Sequence, residues 1–232
     1  MSISGDRKGD GTADTERVGG LAAQIAGAMP DLSPALQQAA LTLLRLLAQG
    51  EPVDVQRLAE AVALPAAYVD ETLERSPGVL RDDDGRIVGL MGLSVVEISD
   101  HRLQLDGRTL WAWCSWDTLF LPELLGETAR VSSRCPSTGT AISMIVTPNG
   151  PADLAPRETV VSFLVPENQF DANVLHSFCH YVHFFASPDA AARWTAEHLG
   201  TFQLSIDDAY RLGQLTNRAT FGAALDAPRE TA

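Results

Sequence analysis

LWAWCSWDTLFLP, at residues 110–122, is the stretch whose reading decides the fold. It sets Cys114 and Asp117 three positions apart in a run that is otherwise almost wholly apolar and carries three of the four tryptophans. A carboxylate in that company is costly unless it is neutralised, hydrogen-bonded or used. Upstream, HRLQLDGRTLWAW at residues 101–113 alternates apolar and polar positions around an Asp106-Gly107 turn, so the cysteine stands at the end of a strand. Downstream, residues 117–125 read as a short helix, with Asp117 as its potential cap and Pro122 limiting its hydrogen bonding.

A second segment answers the first. HSFCHYVHFFAS, at residues 176–187, holds Cys179 in an equally apolar and aromatic setting. Two soft sulfur ligands and one acid in dry surroundings suit the capture of a soft metal with a proton carrier beside it. Each residue also has a plainer reading. Cys114 alone fits a core cysteine, and Asp117 alone fits a helix cap. Cys135, in the turn-rich SSRCPSTG segment, fits a structural role. The histidines around Cys179 lack the local ligand pairs of a structural zinc site, and zinc is not expected. His180 and His183 read as belonging to a strand or its exit. No Gly-x-Ser-x-Gly, P-loop or dinucleotide fingerprint accompanies these residues.

Working outward, residues 1–17 are polar and read as a disordered tail. An Ala-rich helical piece follows at residues 18–29. Ser33 caps a stronger helix with Pro34 in its first turn, and leucines and alanines recur at helical spacing until Gly50. VDVQRLAEAVAL and PAAYVDETLERS supply two more helices, and VLRDDDGRIVGLM reads as a strand pair around an acidic Asp-Gly turn. Three helices and a hairpin outline a winged helix-turn-helix over residues 18–92. Its third helix carries Asp70, Glu71 and Glu74 against Arg75, and its wing carries Asp82, Asp83 and Asp84. Phosphates would be repelled, so a structural or lid role is expected rather than DNA binding.

From Leu93 the pattern turns to strands: LSVVEISD, the pair around Asp106-Gly107, the pair within ARVSSRCPSTGTAISMIVTP, and TVVSFLVP. Residues 189–199 and 206–225 are helical by periodicity. The expected class is α+β: the helical module, then an antiparallel sheet domain with C-terminal helices over residues 93–225, then a tail at residues 226–232. At 232 residues, 45% hydrophobic and 20% charged, the chain can bury a substantial core. A net charge of −13 disfavours nucleic acid and anionic membrane as partners. No apolar run reaches a membrane span, and the first residues lack the apolar core of a secretory signal, so a cytoplasmic protein is expected. The three cysteines, an odd count, then read as free thiols.

Three segments together resemble the organomercurial (alkylmercury) lyases: AWCSWDTLFLP around Cys114 and Asp117, ARVSSRCPSTG around Cys135, and SFCHYVHFFAS around Cys179. The likeness covers residues 33–221 and keeps the order of elements. It implies cleavage of a carbon–mercury bond by protonation, giving a hydrocarbon and Hg(II). The family's catalytic set falls on Cys114, Cys179 and Asp117, which would also hold the Hg(II) product, and its further, structural cysteine falls on Cys135. Some members follow the late cysteine with another cysteine; here that place is His180. The resemblance implies no cofactor, external thiols for turnover, and cellular thiols or a mercuric reductase as Hg(II) acceptors; a monomer is the expectation. The alternatives are a cysteine-based mercury or copper binding protein, which would have no need of Asp117, and a metal-sensing regulator, against which the acidic third helix and wing count.

Overall fold

The structure, a computed structural model, describes residues 10–226. Helix α1 (Asp10–Ala28) is followed by α2 (Pro34–Leu47), α3 (Val55–Ala61) and α4 (Ala66–Arg75). Helix α2 starts where expected: the Ser33 hydroxyl accepts the Leu36 N–H at 3.4 Å and Pro34 opens the first turn. Its Leu41, Leu43, Leu44 and Leu47 are all buried, each worth roughly 1.5–3 kcal/mol relative to exposure.

Helix α1 corrects one expectation. It begins at Asp10, so the later part of the expected tail is helical; residues 1–9 and 227–232 lie outside the described residues. The partner is distant in sequence. Helix α1 packs along α8 (Ile206–Phe221) and buries Val18, Ala22 and Ile25. Arg17 reaches Asp208 at 3.3 Å, and Arg211 donates to the Thr15 hydroxyl at 3.1 Å. Tertiary packing supplies what local composition lacks.

The wing strands β1 (Val79–Arg81) and β2 (Ile87–Leu90) form the expected antiparallel pair. They do not end the module. Strand β2 pairs with β3 (Leu93–Ser94), and the sheet continues through β5 (Arg108–Ala112), β4 (Arg102–Leu105), β6 (Ala129–Arg134), β7 (Ala141–Thr147) and β8 (Gly150–Ala155) as one eight-stranded antiparallel sheet. The expected boundary between residues 92 and 93 therefore runs between two hydrogen-bonded strands of one sheet. The fold is α+β, with an N-terminal helix-turn-helix domain followed by a sheet domain.

The β6–β7 pair shows the period-two burial of a half-covered sheet. A smaller sheet orders β10 (Phe184–Phe185), β9 (Val160–Phe163) and β11 (Phe202–Ser205). Helix α5 (Asp117–Leu125) stops at Gly126, whose left-handed backbone (φ 68°) caps it. Helix α7 (Pro188–Glu197) is capped by the Ser187 hydroxyl, and α8 by that of Ser205.

Other expectations shift in detail. LSVVEISD contributes only the two residues of β3 before the chain bends. His180 lies in a 3-10 turn (Cys179–Tyr181) after the short α6 (Val174–Ser177), not in a strand, and His183 immediately precedes β10. The final helix gives way at Gly222 to a 3-10 turn that includes Asp226. No helix among the described residues is long and apolar enough to cross a membrane.

Candidate active site

Strand β5 ends at Ala112 and α5 begins at Asp117, so Cys114 sits in the tight connection between sheet and helix. Asp117 does not cap α5 in the expected way: Trp116 is the capping residue and makes no side-chain cap bond. Instead the carboxylate turns back, and its Oδ2 accepts the Cys114 N–H at 2.7 Å, like the returning half of a capping box. The second segment is tied in through backbone. Ser115 N–H donates to Val182 O at 3.2 Å, and Val182 N–H closes the 3-10 turn onto Cys179 O at 3.1 Å. Ser162 of β9 secures the far side, its hydroxyl donating to Tyr181 O at 2.7 Å and accepting from His183 N–H at 3.0 Å.

The result brings Cys114, Asp117 and Cys179 together. Their sulfur and carboxylate atoms all lie within 4.8 Å of one another, and all three side chains are buried. Among the described residues no other group of His, Cys, Asp or Glu converges in this way. Cys135 stays outside the group, at the end of the β6–β7 hairpin. Burial alone would raise its thiol pKa. Hydrogen bonds from the Thr138 side chain and from the Ala186, Thr138 and Ser137 backbone outweigh that and hold the pKa below its ordinary value. His180 and His183 stay outside as well; the His183 ring nitrogen lies 2.7 Å from His180 O.

Burial dominates the electrostatics of the three. It pushes the Asp117 carboxyl up to about 7, although hydrogen bonds from the Cys114 backbone and thiol and from the Trp113 backbone pull the other way. The Cys114 thiol is driven well above its ordinary value by burial first, then by its hydrogen bond with Cys179 and by the nearby Asp117 charge. At rest the Cys114 thiol therefore keeps its proton, and a carboxyl poised near neutrality can both take and give one.

Asp117 and Cys179 form part of the wall of a cavity of about 160 Å³ lined otherwise almost entirely by apolar side chains, among them Leu36, Leu43, Met91, Trp113 and Phe120. Cys114 lies behind that wall with no exposed surface. Trp116 stacks edge-on against Phe120, Phe163 and Phe178 at 4.9, 5.3 and 6.2 Å between ring centres. Its indole N–H donates to Ala209 O at 2.9 Å, which anchors this aromatic group to α8. The helical module was expected as a structural or lid element; α2 and the turn between β2 and β3 line the cavity, although none of their residues was singled out from the sequence. Their leucines and Met91 carry no chemical signature.

A family model described as alkylmercury lyase matches residues 96–217, and one described as the helix-turn-helix domain of alkylmercury lyase matches residues 20–91. The chain is 42% identical over 175 residues to the alkylmercury lyase of Pseudomonas putida, covering 75% of this chain and 81% of that protein. It is 39% identical over 172 residues to that of Staphylococcus epidermidis, covering 74% and 78% respectively. Among solved structures, the mercury-bound form of MerB2 shares the fold with a TM-score of 0.72 at 23% identity, over 88% of this chain and 99% of that one.

Proposed function

The chain belongs to the alkylmercury lyase family, and on that premise we propose that it cleaves organomercurials by protonolysis, with Cys114 and Cys179 as mercury-binding thiolates and Asp117 as proton carrier. The observation that carries the residue assignment is the convergence of the two sulfurs and one carboxylate within 4.8 Å, walled from water beside an apolar cavity.

Mercury is soft, and thiolates bind it where oxygen and nitrogen donors do not compete. The organic group enters the cavity, whose volume is close to the ~150 Å³ that suffices to hold benzene in a protein core. Cys179 lines the cavity and meets the mercury first, and Cys114 closes from behind. Each thiol loses its proton as its sulfur–mercury bond forms. One proton leaves with the displaced ligand of the substrate. The other passes to Asp117, whose raised pKa lets it hold a proton near neutral pH. The second thiolate raises electron density on the mercury-bound carbon. Asp117 then delivers its proton to that carbon, the carbon–mercury bond breaks, and its electron pair becomes the new carbon–hydrogen bond. Hydrocarbon leaves, Hg(II) remains on the two sulfurs with Asp117 beside it, and Asp117 returns to the state in which it accepted the proton. External thiols then exchange for the cysteines and carry Hg(II) away to a reducing step.

The test is benzene release from phenylmercury by the full chain with excess thiol. Cys114→Ser and Cys179→Ser should each abolish release, since a hydroxyl is a hard and far less acidic replacement for a thiol. Wild-type release from either variant removes it from the mercury-binding pair.

A further inference from the structure

The turn joining β2 to β3 ends on the reaction centre. Met91 (φ 46°) and Gly92 (φ 97°) both have positive φ, the requirement of a type I′ hairpin turn, and Leu90 pairs with Leu93 across it. The turn is fixed on both sides. Gly92 O accepts the Trp113 N–H at 2.9 Å, and Met91 N–H donates to Gly78 O at 3.1 Å. Both turn residues line the cavity. The Asp117 carboxyl rests directly on the Gly92 backbone: a methyl group placed on its Cα would lie 2.6 Å from Asp117 Cγ, 2.7 Å from Oδ1 and 3.0 Å from Cβ. Real side chains do not approach so closely. One carboxyl oxygen is thus held by the Cys114 N–H, while the other lies against the bare face of Gly92.

We propose that Gly92 is a positioning residue for Asp117, its missing side chain leaving the space in which the carboxyl lies between Cys114 and the cavity, so that the helix-turn-helix domain supplies one wall of the proton-transfer geometry. The inference rests on the reading of Asp117 as proton carrier. Backbone conformation and contact can be separated by comparison with Gly85 in the wing turn. Gly85 also has a positive φ, 79°, but nothing lies within 4 Å of the position its Cβ would take.

The experiment compares full-length Gly92→Ala and Gly85→Ala with the parent protein, using phenylmercury as probe. Capture is read as the mass of one phenylmercury per chain under native conditions, and chemistry as benzene released in a single turnover. Gly92→Ala should capture phenylmercury and release benzene about 10²-fold more slowly, the scale of a displacement near 1 Å at a reacting group. Gly85→Ala should release at the parent rate. Parent-rate release by Gly92→Ala, or an equal loss in Gly85→Ala, overturns the proposal. Should Gly92→Ala fail to fold, the same substitution is made in Asp117→Gly, where neither the carboxyl nor the Cβ stands in the way of the added methyl. The double variant should then lose no more stability relative to Asp117→Gly than Gly85→Ala loses relative to the parent, and a larger loss overturns the contact. Asp117→Asn separates the two readings. If it releases benzene normally, the proton-carrier reading fails and the positioning role falls with it; if it is inactive while Gly92→Ala is fully active, the positioning role alone fails.

Discussion

Replacing Asp117 by asparagine should separate mercury capture from bond cleavage, and the structure gives a scale for a second, thermodynamic signature. Asparagine keeps the size of the side chain and an oxygen to accept the Cys114 N–H, but it cannot cycle a proton. Hydrocarbon release should fall by about 10²- to 10⁴-fold, the usual loss with a general acid or base, or about 3–5 kcal/mol of barrier. One organomercurial per chain should still bind through the two sulfurs. The stability signature follows from burial, which lifts the carboxyl from 3.8 to about 7. Because the folded pKa lies above the unfolded one, the stabilisation is complete below pH ~4 and is lost as pH rises through ~7. At ~1.4 kcal/mol per pKa unit, the whole span is about 4 kcal/mol, of which about 2–3 kcal/mol falls between pH 5 and pH 8. The parent protein should therefore lose stability relative to Asp117→Asn over that interval, measured by urea unfolding of both at the two pH values. Near-normal benzene release by Asp117→Asn would refute the proton-carrier role, and parallel stability profiles would refute a buried carboxyl titrating near neutrality.

Two more outcomes follow from residues outside the proposed reacting group. Cys135→Ser keeps an acceptor for the hydrogen bonds from Ser137, Thr138 and Ala186 and should retain full benzene release per folded molecule. Cys135→Ala leaves those donors unmatched and should lower unfolding free energy by about 1–3 kcal/mol; equal stability of the two variants would show that the donors do not depend on the sulfur. Deleting residues 1–92 strips β1 and β2 from the large sheet, bares the edge of β3 and removes much of the cavity wall, so the remainder should aggregate on size-exclusion chromatography. A monodisperse, active remainder would contradict that expectation.

What could be read in advance follows from where the information sits in the chain. Helix α2 announces itself through Ser33, Pro34 and its leucine spacing, and the β4–β5 hairpin through Asp106-Gly107 between alternating residues. These are local signals, and they survive folding. The grouping of Cys114, Asp117 and Cys179 was legible for a different reason: thiols and a carboxylate amid aromatic residues need a chemical explanation wherever the chain places them. Helix α1 was read too short because residues 10–17 are polar, and its support comes from α8, nearly two hundred positions away. Strand β8 was missed because GPADLA has neither β-branched residues nor a buried face to reveal it. The role of Asp117 as a cap was half right. It accepts a backbone N–H, but that of Cys114 before the helix, a choice fixed by the connection rather than by the composition of the segment.

The complete enclosure of Cys114 bears on how the resting protein endures oxidants. Peroxides and disulfides react with thiolates far faster than with thiols. A sulfur that no solvent reaches, and whose proton is held more tightly than usual, offers little thiolate to them. Two cysteines this close would otherwise be well placed to become a disulfide, which offers no thiolate to a soft metal. Weaker-binding divalent ions face the same barrier, since each would have to displace the protons from a dry site. Mercury binds sulfur strongly enough to do so. On the mechanism proposed above, shelter from oxidation and discrimination among metals come from one feature, a thiol that keeps its proton until mercury binds it.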